Sequence, residues 1–336
     1  MAMKVLVSGA NGFIGSNLCE KLIEKGYQVR ALILPGTPEW YLEGIKVEKV
    51  YGDVTKPETL APLVKEIELV FHLAAIAKDW GKWKNFMEVN ALGTENLAKA
   101  SAKAGVKRFL LTSSVAVHHY RDIINGDENL ARDCGRFAYG RSKILAEDKL
   151  KAVSQESEME FVIVRPGVFP FGPKDTTSFY RMAEAMERGG FGFINSGRAR
   201  ISVSYVENLC EGMILAGTHP QAKNQVFIIE DGVAPSWREL VRMIAKELGV
   251  KPPWLSMPYP IAWSIAGLME ILWKIFPLPK EPLLTRYRIK VASYDLVFTS
   301  KKIRKLLGFA PSIGLEDGIK KTVEWYKSAK AKGIKV

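Results

Sequence analysis

A tyrosine and a lysine four residues apart form the pair in this sequence best suited to moving a proton. Tyr139 and Lys143 lie where the apolar spacing predicts a helix beginning at Tyr139. One helical turn would therefore place both side chains on the same face. The ordinary pKa of a tyrosine is about 10, and a nearby ammonium lowers it by stabilising the phenolate. The pair predicts a general acid or base, Tyr139, whose pKa is tuned by Lys143.

The spacing alone is not specific, because Tyr326 and Lys330 repeat it in the C-terminal region. Only Tyr139 follows a pair of serines, Ser113 and Ser114, placed directly after a predicted strand. Ser114 lies 25 positions before Tyr139. We therefore assign the chemistry to Tyr139 and expect Tyr326 to pack within an ordinary C-terminal helix.

A glycine-rich loop near the N-terminus predicts a dinucleotide site. It spans residues 9–15, follows a predicted strand and opens a predicted helix. Gly9 permits a tight turn, Gly12 lets the backbone approach a pyrophosphate, and Gly15 allows the helix to pack closely on the strand. The helix N-terminus adds free N–H groups and the positive end of a dipole. The dinucleotide contacts predicted in this loop are Gly9, Asn11, Gly12, Phe13, Ile14 and Gly15.

The glycines stand at positions i, i+3 and i+6, which resembles the short-chain dehydrogenase/reductase superfamily rather than the commoner G-x-G-x-x-G fingerprint. Together with Tyr139 and Lys143, they resemble its extended, two-lobed branch. The resemblance implies that Ser114, or alternatively Ser113, hydrogen-bonds the reacting oxygen. It implies that Asn90 bends its helix and joins a proton relay, and that Lys143 also holds the nicotinamide ribose. The further dinucleotide contacts that it implies are Asp53, Val54, Ala74, Ala75, Tyr139, Lys143, Pro166 and Val168.

The elements that must position these residues alternate between strand and helix spacing. Strands are predicted near 4–8, 28–34, 47–50, 69–73, 108–112 and 161–164, and helices over 13–25, from 57, over 86–103 and from 139. This alternation predicts an α/β fold of the Rossmann type, a doubly wound parallel sheet. We expect a dinucleotide-binding domain at 1–165. A smaller, mixed α/β substrate lobe would occupy 166–336, with segments around 201–230 returning to the first domain.

The second half resembles the 3β-hydroxysteroid dehydrogenase-like family and its dihydroflavonol reductase-like relatives. The resemblance lies in residues 254–278, 282–286, 299–309 and 318–326, whereas residues 203–209 resemble the substrate-lobe return segment of the extended branch in general. It implies hydride transfer between nicotinamide and a secondary alcohol or ketone of a bulky, largely apolar substrate, sterol-like or flavonoid-like. A lobe rich in Trp, Phe, Leu and Met suits such a ligand.

Two other functions remain open. A nucleotide-sugar epimerase or dehydratase of the same branch regenerates its cofactor, but many of these enzymes carry an asparagine shortly after the sixth strand, and residues 165–169 contain none. A redox sensor that binds dinucleotide without turnover commonly lacks the Tyr–Lys pair, which this chain keeps. The choice between NAD and NADP is also open. Residues 32–34 offer neither an acid for the ribose of NAD nor an arginine for the 2′-phosphate of NADP, and Arg30 lies earlier on the strand.

The bulk properties limit the compartment and the partners. Three widely spaced cysteines predict no disulfide framework and a reducing cytoplasm. The opening residues 1–4 run into a strand without a cleavage site, so no signal peptide is expected. No nucleic-acid motif and no metal-ligand cluster is expected either.

His72, His118 and His119 are expected to be structural, with one of the latter two as the alternative substrate contact. The family resemblance implies a homodimer.

A very apolar stretch, Trp254–Leu278, interrupts the second half. The segment between its prolines is too short to span a membrane and carries Glu270 and Lys274. It could instead lie flat on a membrane or cap an apolar pocket.

The chain has a net charge of +12, and residues 280–336 hold fourteen Lys and Arg against five Asp and Glu. This basic region is expected to be a solvated face, with an acidic membrane surface, a nucleotide or a nucleic acid as its alternative partners.

Overall fold

The computed structural model describes residues 2–276, 278 and 281–334. Pro277, which lies within the apolar stretch 254–278, and Lys280, the first residue of the basic region, lie outside the described residues. The strands are β1 Lys4–Ser8, β2 Gln28–Ile33, β3 Glu48–Tyr51, β4 Leu69–His72, β5 Arg108–Thr112, β6 Ile123–Gly126, β7 Glu160–Pro166, β8 Phe169–Phe171, β9 Phe193–Ile194, β10 Val203–Tyr205, β11 Gln225–Ile229, β12 Ser256–Met257 and β13 Leu296–Phe298. The α-helices are α1 Phe13–Glu24, α2 Trp83–Phe86, α3 Gly93–Lys103, α4 Ala138–Gln155, α5 Phe179–Glu187, α6 Val206–Thr218, α7 Trp237–Leu248, α8 Tyr259–Ile275, α9 Arg286–Ser293, α10 Lys301–Leu307 and α11 Leu315–Ala331.

Seven parallel strands form the central sheet, in the order β11-β7-β5-β4-β1-β2-β3. The predicted doubly wound α/β fold is thereby confirmed. Ser8 pairs in register with Leu32 on one side and His72 on the other, so the loops after β1, β2 and β4 share one edge. Strand order reverses between β1 and β4. In open α/β sheets, ligands bind at this reversal, beyond the carboxyl ends of the strands.

Two predicted helices differ from the structure. The helix expected from residue 57 is wrong, because the chain forms two short 3₁₀ turns, Pro57–Thr59 and Ala61–Val64. Pro62 would fall inside a continuous helix, where it lacks the N–H for the backbone ladder. The helix expected over 86–103 is broken by a π-helical segment, Met87–Leu92, between α2 and α3. A π-helical segment changes the direction of the side chains that follow it.

The two halves of the chain are interleaved. β11 belongs to the second half, yet it completes the central sheet by pairing with β7 along Gln225–Ile229. The predicted boundary at 165/166 falls inside β7. Conversely, the apolar core of the second half includes Val115, Tyr120 and Cys134 from the first half. Among the residues that the structure describes, no helix is both long and apolar enough to cross a bilayer.

Candidate active site

Backbone geometry alone makes the glycine loop a cradle. Gly9 has φ of +66°, a conformation that favours glycine. A Cβ on Gly15 would lie 2.1 Å from the Gly9 carbonyl oxygen, and one on Gly9 would lie 2.9 Å from the Ala74 nitrogen. Gly12 is the N-cap of α1, and no side chain caps its first turn. The N–H groups of that turn are therefore oriented toward the space where a phosphate would bind.

A buried hydroxyl fixes the neighbouring loop against this cradle. Ser8 Oγ lies 2.6 Å from His72 Nδ1 and accepts hydrogen bonds from the backbone N–H groups of Leu73 and Ala74. The other ring nitrogen of His72 lies 3.0 Å from Thr94 Oγ1. Burial lowers the pKa of His72 to about 3, so the ring is neutral at physiological pH. His72 therefore has the structural role expected of it, holding Ala74 beside Gly9.

The other residues predicted at the dinucleotide lie along the same edge. Asn11 Nδ2 donates to Thr37 Oγ1 and to the Pro38 carbonyl, each at 2.8 Å, which joins the glycine loop to the segment after β2. Asp53 accepts from the backbone and hydroxyl of Thr55, and Val54 is buried. The cradle and this edge fit a dinucleotide. Thr37 was missed by the sequence analysis because it belongs to no recognised motif.

The structure brings together Tyr139, Ser114 and Lys143 beyond the end of β5. Tyr139 lies in the first turn of α4, and a side-chain hydrogen bond joins it to Ser114. Ser114 Oγ also accepts from the backbone N–H of Ala116 at 3.1 Å, which fixes the hydroxyl. Lys143 is buried, and its ammonium donates to the Thr112 carbonyl at 2.9 Å. The three predicted residues thus lie together beyond the end of β5.

The protonation states follow from burial rather than from the Tyr–Lys pair alone. Desolvation raises the pKa of Tyr139 to about 12, although the Ser114 hydrogen bond opposes the shift. Desolvation lowers the pKa of Lys143 to about 8, although the nearby Glu147 carboxylate opposes it. The lowered tyrosine pKa that the sequence predicts is therefore wrong for this structure. Tyr139 is a neutral phenol at pH 7, and thus a proton donor.

Asn90 lies in the π-helical segment and connects two sides of the site. Its side chain accepts from the Ile76 N–H at 2.7 Å and donates to the Ile76 carbonyl at 3.1 Å. It also donates to Ser142 Oγ, which in turn donates to the Tyr139 carbonyl. Asn90 thereby holds the loop after β4 against the first turn of α4. Its predicted part in a proton relay stays a prediction.

The sequence analysis missed a buried ion pair beneath Lys143. Glu147 accepts two hydrogen bonds from Arg165, at 2.8 and 2.6 Å, and one from Ser113 Oγ at 2.6 Å. His118 Nε2 lies 3.3 Å from the same guanidinium. Because Glu147 follows Lys143 by four residues, it lies on the same helical face, and that spacing could have revealed it. Ser113 and His118 are thus engaged in this pair, which anchors α4 to β7.

The wall next to Tyr139 is aromatic and comes from three segments. The rings of Tyr120, Phe137 and Tyr287 lie edge to face, with centroids 5.1 to 5.5 Å apart. Tyr287 belongs to α9, which Asp79 ties to the loop after β4. The Asp79 carboxylate accepts from Arg288 at 2.7 Å and from Thr285. No local pattern in the sequence indicates the contacts of Asp79, because they join segments more than 200 residues apart.

Three remaining predictions concern other parts of the chain. Tyr326 donates to Glu187 Oε2 at 2.7 Å within the packing of α11, as expected for a structural tyrosine. Arg30 is bound to Glu48 and to two backbone carbonyls, of residues 63 and 65. No group of three or more potential metal ligands is found in the described part of the chain.

Comparison with known proteins agrees with this arrangement. The family model described as NAD dependent epimerase/dehydratase family matches residues 5–229. A 2-alkyl-3-oxoalkanoate reductase of Stenotrophomonas maltophilia is 28% identical over 95% of this chain and 98% of its own length. A 3 beta-hydroxysteroid dehydrogenase/Delta 5-->4-isomerase of Mycobacterium tuberculosis is 30% identical over 97% of this chain and 90% of its own length. The crystal structure of gox2253 superposes with a TM-score of 0.81 and 29% identity, covering 96% of this chain and 98% of that one.

These matches confirm the resemblance inferred from the glycine spacing and from the Tyr139–Lys143 pair. They also confirm the prediction of an oxidoreductase of the extended short-chain dehydrogenase/reductase superfamily. The chain belongs to the NAD dependent epimerase/dehydratase family.

Proposed function

We propose that the protein transfers a hydride between a nicotinamide dinucleotide and a secondary alcohol or ketone carbon of a bulky, largely apolar substrate. The observation that carries this proposal is the placement of Tyr139, Ser114 and Lys143 together at the edge that also carries the glycine cradle. A dinucleotide bound there would supply or accept the hydride. The residues of this chain would bind the substrate oxygen and move its proton.

The protonation states favour carbonyl reduction at neutral pH. The phenol of Tyr139, with a pKa of about 12, can donate its proton to a carbonyl oxygen as the adjacent carbon gains the hydride. The C=O bond then becomes C–OH, and Tyr139 is left as a phenolate. Ser114 would orient the oxygen, and the buried Lys143 ammonium would stabilise the phenolate until a solvent proton restores it.

The substrate class is supported by the wall of the site and by the relatives. Tyr120, Phe137 and Tyr287 pack against one another in the same apolar cluster as Tyr139, the main core of the second half. Such walls bind ligands largely by removing apolar surface from water. The names of the two relatives refer to an oxoalkanoate and to a hydroxysteroid, both of which carry a large apolar body.

Replacing Tyr139 by phenylalanine tests the proposal. Tyr139→Phe should lower kcat for ketone reduction by at least about 100-fold, since general acid catalysis contributes roughly 10²- to 10⁴-fold. The variant should still bind the dinucleotide, as measured by fluorescence titration. Tyr326→Phe is the matched control, because that tyrosine has the same spacing to a lysine but bonds Glu187. Full activity of Tyr139→Phe would refute the assignment.

A nucleotide-sugar epimerase is the second candidate, because the family description itself names epimerases. Such an enzyme regenerates its cofactor in each cycle. The purified protein would then carry tightly bound dinucleotide and convert a nucleotide sugar with none added. Under the main proposal, turnover requires added dinucleotide and consumes it stoichiometrically.

We further propose that the cofactor is NAD rather than NADP. The one arginine on β2, Arg30, is bound to Glu48, and residues 34–39 after that strand contain neither Lys nor Arg. The 2′-phosphate of NADP would find no cation in this segment. Parallel titrations should show NADH binding at least tenfold more tightly than NADPH, which corresponds to about 1.4 kcal/mol. Equal affinities would contradict this choice.

A further inference from the structure

The helix α8 exposes a continuous apolar face. Its exposed aliphatic residues recur every three or four positions, which places them on one side of the helix. We call this the α8 face, and its members are Ile261, Ile265, Leu268, Ile271, Leu272 and Ile275. Apolar exposure continues at both ends, with Trp254 exposed to 84% and Phe276 to 60%. Contiguous apolar surface of this kind marks an interaction site.

The helix stands out from the protein as a ridge. Its buried residues are three small ones, Ala262, Ala266 and Gly267. Ala262 and Ala266 pack with Ile289 of α9, and the guanidinium of Arg286 occupies the space beside Gly267, where a Cβ would lie 2.2 Å from a guanidinium nitrogen. This narrow contact fixes the helix without covering its outer side. The outer side of α8 therefore remains exposed.

Cations outnumber carboxylates in the chain around the face. Glu270 is the one carboxylate in residues 254–276, and it accepts from the Arg286 N–H at 2.7 Å and pairs with the Arg286 guanidinium. Lys274 is exposed in the last turn of the helix, and Lys251 is exposed shortly before Trp254. Cations thus flank an apolar ridge whose carboxylate is neutralised.

We propose that the α8 face docks the protein on an anionic lipid surface. A helix with an apolar face and flanking cations lies in the plane of the headgroups, with its apolar side inserted about 5–10 Å. Exposed tryptophans such as Trp254 favour the same depth. Lysines near the surface add attraction to anionic lipid, of order 1 kcal/mol each. The proposal does not depend on the reaction that the protein catalyses.

A second copy of the chain fits this face less well. Protein interfaces carry about ten direct hydrogen bonds in a polar rim. On the outer side of α8, the exposed polar side chains are Ser264 and Lys274, and the Ser264 hydroxyl donates to the Pro260 carbonyl of its own helix. An apolar face with so few hydrogen-bonding groups is suited to insertion among lipids rather than to a protein interface with a polar rim.

Vesicle sedimentation with the full-length protein tests this proposal. The protein should sediment with vesicles of phosphatidylcholine and phosphatidylglycerol in equal amounts, and less with phosphatidylcholine alone or at high salt. The triple variant Ile261→Ser, Leu268→Ser, Ile275→Ser should bind at least tenfold more weakly. It should unfold at an unchanged temperature, because these side chains are exposed in the folded state.

A matched control replaces exposed apolar residues elsewhere. Ile124→Ser with Val233→Ser removes side chains of comparable exposure, and vesicle binding should be unchanged. Failure of the wild-type protein to sediment with either vesicle would overturn the proposal, as would equal binding by the triple variant. Light scattering without lipid gives the alternative outcome. A wild-type dimer that the triple variant dissociates would assign the face to a second copy instead.

Discussion

The two ends of the active site are built in different ways. The dinucleotide end is formed by the backbone of residues 9–15, and its tightest approach is between Gly9 and Gly15. The substrate end is formed by side chains, such as Asp79 and Arg288, that are 209 positions apart in the sequence. The first end is thus specified locally by the absence of side chains. The second exists only when distant segments have packed together.

The difference predicts how each end responds to substitution. A cradle made of backbone cannot adjust to an added side chain, because carbonyl oxygens and main-chain nitrogens have no rotamers. A side-chain wall can adjust its rotamers, so it should lose affinity gradually. The ion pair of Glu147 and Arg165 belongs to neither end, since it anchors the helix α4, which carries Tyr139 and Lys143, to β7.

The largest loss of ligand binding is expected at the dinucleotide end. In Gly15→Ala, the new methyl group would overlap the Gly9 carbonyl, so the helix must move off the strand. Dinucleotide affinity, measured by titration, should fall at least about 100-fold, which corresponds to about 2.7 kcal/mol. Gly190→Ala is the control, because its nearest neighbour would be 3.8 Å away. Normal binding by Gly15→Ala would break the comparison.

The buried ion pair should affect the stability of the fold, a different quantity from dinucleotide binding. Glu147→Gln leaves the Arg165 guanidinium, 2% exposed, without a countercharge, and breaking such a pair costs about 3–5 kcal/mol of unfolding free energy. Chemical denaturation measures the loss.

Glu68→Gln provides the comparison at the surface, where Glu68 pairs with the exposed Lys107 and the expected change is within about 1 kcal/mol. Equal effects of the two substitutions would show that burial does not strengthen the inner pair.

The smallest effect is expected at the substrate end. Asp79→Asn weakens the hydrogen bonds to Arg288 and Thr285 that hold α9, and with it Tyr287, beside Tyr139. KM for the ketone should rise about 3- to 10-fold, while kcat changes little and dinucleotide affinity is unchanged. A loss of dinucleotide binding in this variant would mean that the two ends are not separable.

The same division explains what the sequence could predict. Strand and helix spacing located most of the sheet, and residue type with local spacing located Tyr139, Lys143 and the glycine loop. Pro62 was overlooked, so a helix was expected where 3₁₀ turns occur. The pKa of Tyr139 was expected to fall, because burial cannot be judged from spacing. The roles of Asp79 and Tyr287 depend on tertiary packing, which no local pattern contains.

The strand β11 limits how this chain could be divided or recombined. Gln225–Ile229 pairs with β7 along Val162–Pro166. A chain cut at residue 165 would therefore leave an unpaired sheet edge beside the Glu147–Arg165 pair. The nucleotide-binding half therefore cannot be exchanged between proteins as a separate domain. In evolution or in protein engineering, new specificity would have to come from changing loops and helices inside the continuous chain, since a transplanted first half would lack the strand that closes its own sheet.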